Sequence, residues 1–418
     1  MRHSRKLSAT FIAGALLFAA ACGGDDDDST DGSAATEATD AAGSGTEPAG
    51  TEPAGTEASG TDAAGTEPAG TGATDEAPGV AAAREVVEQY SDPNQPIGVT
   101  IPLTGVPEPK KFAWLECELE SCPYITVGVE AATEALGWEM IKISSDSANP
   151  GPAFQQAIDA GADYIASSGE ARSLYEEQAQ AAADAGIKIL SCFDTEEPGG
   201  EETNIYTQCG DASFVEKTGP LMANWAIVDS NGTANILIVS IPDFPVLKAE
   251  TDAYIAELEK NCPDCEYTEL NITIPQLVGG EVPAAVASQL QSNSDIDYVF
   301  FSFGSLASGV TATLDGAGLL EGVTVYGQDF SSFALEEIVA GTMSAWSADP
   351  KAYAGWLMVD AAARLSLDME LTEERDAASL PTVLIADAEA AQEVLDCCNG
   401  DWWPPTMEED FKALWGVE

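Results

Sequence analysis

Tyr164-Ile-Ala-Ser167, a helical stretch from Arg172 to Ala185 and Ile187-Lys-Ile-Leu190 form one strand–helix–strand unit. Apolar strands of this length, joined by a connection long enough for a helix, belong to a parallel sheet covered on both faces. The same grammar extends in both directions. Upstream, the pattern predicts a strand at Ile97 to Leu103, a helix at Tyr124 to Leu136, a strand at Trp138 to Ser144 and a helix at Pro152 to Ala160. Downstream, a second series predicts helices at Phe214 to Val228, Leu247 to Lys260, Pro283 to Gln291 and Ser305 to Ala317. Its strands fall at Asn235 to Ser240, Glu266 to Ile274, Tyr298 to Ser302 and Thr324 to Gly327. The fold class expected is α/β, with two doubly wound parallel-sheet lobes and a crevice between them. Strand carboxyl ends point at such a crevice, so the loops after Leu103, Leu190, Ser240, Ser302 and Gly327 are expected to line it.

Several runs within this pattern carry a family likeness. They are Asp146-Ser-Ala-Asn-Pro150 with Gln155 to Ile158 and Ala162 to Ala166, then Ile187 to Asp194, then Ile296 to Phe301 through Gly309, and Val323 to Asp329. In order and spacing they resemble the type I periplasmic solute-binding proteins, the sugar-type substrate-binding lipoproteins of ABC transporters that include ribose- and galactose-binding members. The resemblance covers about Ile97 to Leu384. It implies two lobes joined by three chain crossings, a return helix at Ala352 to Leu365 and a return of Pro381 to Ile385 to the second lobe. The lobes are expected at 97–210 plus 350–380 and at 211–349 plus 381–418. Hinge closure around a small polar ligand, sugar or sugar-like, is the implied function, with the transmembrane subunits of an ABC permease as partner. A ligand-sensing subunit for a membrane signalling protein uses the same closed cleft and is the alternative reading.

The resemblance also nominates ligand-binding residues. Asp194 and Asp329 are expected to accept hydrogen bonds from ligand hydroxyls, and Trp114, Phe193, Phe303 and Trp346 to offer flat apolar faces. Lys248 falls where sugar-binding relatives carry an arginine. Each has a plainer reading: an Asp at a strand end also serves as a helix cap or turn residue, Trp114 packs under a disulfide-bounded loop, and Lys248 is a solvated helix lysine. The chain departs from ribose-type members at Phe303-Gly304-Ser305, which stands in place of an Asn-Asp pair. That loss of an amide and a carboxylate points to a ligand less hydroxylated than a pentose, or one read from a different angle.

The segment before the lobes reads as an address and a tether. Arg2, Arg5 and Lys6 precede an apolar run from Leu7 to Ala21, and Ala20-Ala21-Cys22-Gly23 resembles the processing site of bacterial lipoproteins. Residues 1–21 are then a signal peptide and Cys22 the lipidated anchor, which puts the protein on the outer side of the cell membrane. Residues 22–82 are an acidic low-complexity linker with a repeated five-residue unit, Thr46-Glu-Pro-Ala-Gly50 onward. A flexible chain of that length spans roughly 45 Å.

Composition removes several chemistries. The single histidine is His3, within the signal, so neither a Ser-His-Asp nor a Cys-His site nor a His-ligated zinc centre is expected in the mature chain. No catalytic residue, cofactor or metal is assigned; a carboxylate-dependent hydrolase is the enzyme alternative and would lose turnover on Asp194→Asn. The 16 Lys plus Arg against 71 Asp plus Glu give a net charge of -55, which repels nucleic acid. The protein is expected to be a monomer. The mature cysteines beyond Cys22 form an even set suited to an oxidising compartment. Proximity suggests Cys117 with Cys122, Cys192 with Cys209 and Cys262 with Cys265, and leaves Cys397 and Cys398 open between a vicinal pair and separate partners.

Overall fold

The computed structural model describes residues 78–417 apart from 120, 195–197, 207, 208, 210, 211, 372–379 and 399. The signal, Cys22 and most of the acidic linker lie outside the described residues. Helix α1 (Pro78–Gln89) comes first. The first lobe follows as β1 (Lys111–Glu116), α2 (Cys122–Ala135), β2 (Glu139–Ser144), α3 (Gly151–Asp159), β3 (Tyr164–Ser168), α4 (Glu176–Asp184) and β4 (Lys188–Cys192). The second opens with α5 (Ala212–Asp229), β5 (Asn235–Ser240), α6 (Pro245–Asn261), β6 (Glu266–Asn271), α7 (Ile274–Val278) and α8 (Val282–Ser292). It continues with β7 (Tyr298–Phe301), α9 (Val310–Gly316), β8 (Thr324–Gln328), α10 (Ser332–Ala340) and β9 (Ala345–Ser347). The chain ends in α11 (Lys351–Ser366), β10 (Leu384–Ile385), α12 (Ala388–Cys398) and α13 (Met407–Trp415).

The first sheet has strand order β2-β1-β3-β4, all parallel. The second repeats that order as β6-β5-β7-β8 and extends it with β9 and an antiparallel β10. The central strands are apolar because helices cover both faces: Phe112 to Leu115 in β1 and all of β7 are buried. The edge strand β6 reads Glu-Tyr-Thr-Glu-Leu-Asn and keeps its acids exposed, which blunts pairing with another chain.

Helix α11 returns to the first lobe and lies against α2 so closely that neither backbone leaves room for a side chain. A Cβ on Gly128 would sit 1.9 Å from the Ala352 carbonyl oxygen, and one on Gly355 would sit 2.6 Å from the Val129 nitrogen. The cysteines pair as Cys117–Cys122, Cys192–Cys209 and Cys262–Cys265, and Cys397 pairs with its neighbour Cys398.

Three features correct the sequence reading. Residues Ile97 to Leu103 form no strand, and the first strand is β1. Pro102 lacks a ladder donor, and the backbone around it bonds elsewhere. The Tyr353 hydroxyl donates to the Ile97 carbonyl, the Arg364 guanidinium donates to the Ile101 carbonyl at 2.7 Å, and Leu103 N donates to the Leu414 carbonyl at 2.9 Å. Next, α1 begins inside the expected linker and packs Val80 and Ala83 onto α5 and α6 of the second lobe. Finally, residues 381–418 do not stay together. β10 and α12 join the second lobe, but α13 docks on α11, with Trp415 stacked on Trp356 at 5.1 Å and donating its indole N–H to Asp360 at 2.9 Å. Two crossings are thereby added to the expected three, one after α1 and one after α12.

Candidate functional site

In each sheet the chain reverses its direction of strand addition between the first strand and the third, at β1/β3 and at β5/β7, and such switch points open a crevice at the carboxyl ends. The two crevices face each other across a cavity with ≈ 490 Å³ of atom-free space, part of it open to solvent. The first lobe contributes the Cys117–Cys122 loop after β1, Ser168 and Gly169 after β3, and Phe193 after β4. From the second lobe come Phe244 and the first turns of α6 after β5, Phe303 after β7, Asp329 after β8 and Asp349 after β9, and Lys351 enters from the start of α11.

At the centre is Lys351, the first residue of α11. Its ammonium lies 2.9 Å from Asp329 Oδ1, 3.8 Å from Asp349 Oδ2 and 3.9 Å from the centre of the Phe193 ring. The start of α11 is held by Asp401, whose carboxylate accepts from Lys351 N at 3.1 Å and Ala352 N at 2.8 Å. Behind the cation, Glu250 accepts from the Thr218 hydroxyl at 2.6 Å and the Gln328 amide at 2.7 Å. Phe193 and Asp329 occupy matching places at strand ends, and both are left-handed, with φ of 56° and 57°. Aspartate tolerates that conformation; phenylalanine seldom does, and such strain collects at ligand clamps.

The electrostatics follow from burial. Loss of water raises the Glu250 carboxyl to about 8, although the Thr218 hydrogen bond and the Lys351 charge oppose it. Burial likewise raises Asp329 and, more strongly, Asp349 against the pull of Lys351. Asp401 rises to about 7 by burial, held back by its two backbone donors. Burial disfavours the Lys351 ammonium, but Asp329, Asp349 and Glu250 outweigh it and raise its pKa. Asp329 Oδ2 and Asp349 Oδ1 are buried with no hydrogen-bond partner, which leaves acceptors at the cavity for a solute to satisfy.

The structure brings together three of the seven nominated ligand residues, Phe193, Phe303 and Asp329, at the cavity wall. Asp194, next in sequence to Phe193, is buried and does not line the cavity. Trp114 is a core residue of β1, its indole N–H donating to Thr126 at 2.7 Å, because the strand begins at Lys111 rather than near Ile97. Trp346 is buried in β9 and stacked with Phe301 at 6.4 Å. Lys248 lies on the outer face of α6, paired with Asp252 at 2.5 Å. Sequence reasoning missed Lys351, Asp349, Glu250 and Phe244. The sequence marked Lys351 only as the residue before the expected return helix at Ala352 to Leu365, because β9 was not among the expected strands.

Residues 123–368 match the family described as periplasmic binding protein domain. The chain belongs to this family of periplasmic binding proteins. No curated protein sequence matches it. Solved structures share the fold at low identity. A sugar ABC transporter protein from Yersinia enterocolitica is 19% identical, with TM-score 0.61 over 76% of this chain and 99% of that one. An ABC transporter solute binding protein from Mycobacterium smegmatis with bound glycerol is 19% identical, with TM-score 0.60 over 70% and 99%. A periplasmic solute binding protein from Actinobacillus succinogenes with bound D-allose is 17% identical, with TM-score 0.58 over 68% and 100%. Periplasmic binding proteins are extracytoplasmic and are not enzymes. Among the described residues no helix is long and apolar enough to cross a membrane.

Proposed function

We propose that this periplasmic binding protein is the tethered solute-binding lipoprotein of an ABC importer, anchored through Cys22 and working as a monomer. It captures a small polar solute between its lobes by hinge closure. The observation that supports this reading is the pair of unpartnered carboxylate oxygens, Asp329 Oδ2 and Asp349 Oδ1, buried at a cavity that both lobes wall. A buried acceptor without a donor costs free energy until something supplies one. Residues from both lobes meet any solute held there, so binding favours the closed state, and a permease that recognises that state couples capture to transport. Family resemblance points to sugars first, with Phe193, Phe303 and Asp329 as contacts. The test is thermal melting of the purified protein against a panel of sugars, polyols, nucleosides and amines, together with native mass spectrometry for a retained solute. A stabilising member or a retained mass is expected. An inert cleft by both measures removes the proposal. Uptake of labelled solute in cells lacking the protein distinguishes import from sensing, and [³H]palmitate labelling lost on Cys22→Ser tests the anchor.

A further inference from the structure

We propose that the solute carries a protonated amine, whose N–H groups bond to Asp329 and Asp349 while its charge lies against the phenylalanine rings of the cleft. This rests on the solute-capture reading above and narrows its ligand class.

The donor and acceptor inventory of the cavity points this way. Among the described residues, its wall carries three carboxyl groups, Glu250, Asp329 and Asp349, and a single cation, Lys351. Among the described residues no Asn, Gln, Arg, His, Tyr or Trp side chain lines it, and the remaining side-chain donors are the hydroxyls of Ser121 and Ser168. Lys351 is already committed to Asp329 and Asp349. A sugar hydroxyl both donates and accepts, so a site built for several of them offers both kinds of partner. An ammonium donates three times and accepts nothing. The leftover atoms here are acceptors, and both belong to side chains almost wholly out of water, Asp329 at 3% and Asp349 at 4% exposure.

Lys351 shows what such a group does in this place. Its own ammonium bridges the two aspartates and lies over the face of Phe193. That arrangement joins one charge-assisted hydrogen bond, to Asp329, and a longer ion pair with Asp349 to a cation–π contact. Phe244 and Phe303, with ring centres 6.5 Å apart, supply further aromatic surface on the second lobe. A second ammonium at Asp329 Oδ2 and Asp349 Oδ1 meets repulsion from Lys351, and offsets it by favouring the ionised form of the two aspartates, whose burial otherwise favours the protonated one.

Matched pairs that differ only in amine against hydroxyl test the idea on the purified protein: D-glucosamine with D-glucose, putrescine with butanediol, and ethanolamine with ethylene glycol. Melting shifts and calorimetric titration at neutral pH are read for each. In at least one pair the amine is expected to bind about tenfold or more tightly than its hydroxyl counterpart. Asp349→Asn, nearly isosteric, is expected to narrow that gap by about tenfold. If that variant does not melt cooperatively, Asp329→Asn replaces it. A hydroxyl member binding as tightly as its amine, or a gap unchanged in the variant, overturns the amine class. A neutral solute retained in native mass spectrometry overturns it too, while leaving solute capture in place. Silence from every pair overturns the amine class; solute capture falls as well only if the wider panel and native mass spectrometry are silent too.

Discussion

Phe193 holds a left-handed backbone that its side chain disfavours, and it does so beside the Lys351 ammonium. The strand before it, β4, is locked in register with β3, so the chain must turn sharply as it leaves the sheet. Asp329 makes the same turn at the end of β8. These two residues were legible in the sequence because strand ends in open α/β sheets face the crevice. Lys351 and Asp349 escaped for the opposite reason, since their chemistry depends on a helix start placed by a distant aspartate, Asp401. Lys351→Met strands buried carboxyl groups without their counter-charge and is expected to cost about 3–5 kcal/mol, read by urea unfolding at neutral pH. Trp114→Phe removes a core indole N–H and leaves a small cavity where the larger ring was. It is expected to cost about 1–3 kcal/mol and to leave solute affinity unchanged in titration; a loss of affinity instead would return Trp114 to the site.

At the scale of elements, apolar runs bounded by helices were readable, and the strands from β2 to β8 fall close to the places the pattern predicts, while the short β9 was not expected. Ile97 to Leu103 misled because its residues are apolar enough for a strand while Pro102 denies it a ladder. The chain there is instead held by the side chains of α11, which no local pattern announces. The contact of α2 with α11 is equally invisible, because Gly128 and Gly355 read locally as weak helix residues. Gly355→Ala, otherwise a helix-favouring change, is expected to destabilise by about 1–3 kcal/mol through overpacking, measured as a lowered denaturant midpoint. A stabilised variant would mean that the helices separate easily. Trp415→Ala, which removes the aromatic stack on Trp356 and the bond to Asp360, is expected to cost about 3–5 kcal/mol. It should also make the last helix sensitive to limited proteolysis.

For the molecule as a whole, several buried acids make stability depend on pH in an unusual direction. Glu250 and Glu170 have folded values of about 8 against an ordinary 4.5, and Asp401 about 7 against 3.8, burial being the largest cause in each. A raised folded pKa means that the native state holds the proton more tightly than the unfolded chain. That contribution is fully present below the ordinary value and is lost as pH rises through the folded one. The solute-free protein is therefore expected to melt at progressively lower temperature between about pH 5 and pH 8. Glu250→Gln should flatten that slope, because the amide keeps a neutral group between Thr218 and Gln328. A melting temperature that climbs over the same interval would contradict these assignments.

The sequence by itself determined the α/β class, the repeated strand–helix order and that the ends of β4, β5, β7 and β8 face the crevice; the loop after Leu103, also expected there, does not line it. Those features follow from local apolar periodicity and from the geometry of parallel connections. Only the tertiary structure decided that α13 docks on α11 and that the two Trp candidates are core residues. It also decided that the centre of the site is a lysine between aspartates. Each of these depends on which distant surfaces meet, and on burial that removes water from charged groups, and neither is encoded in the spacing of neighbouring residues.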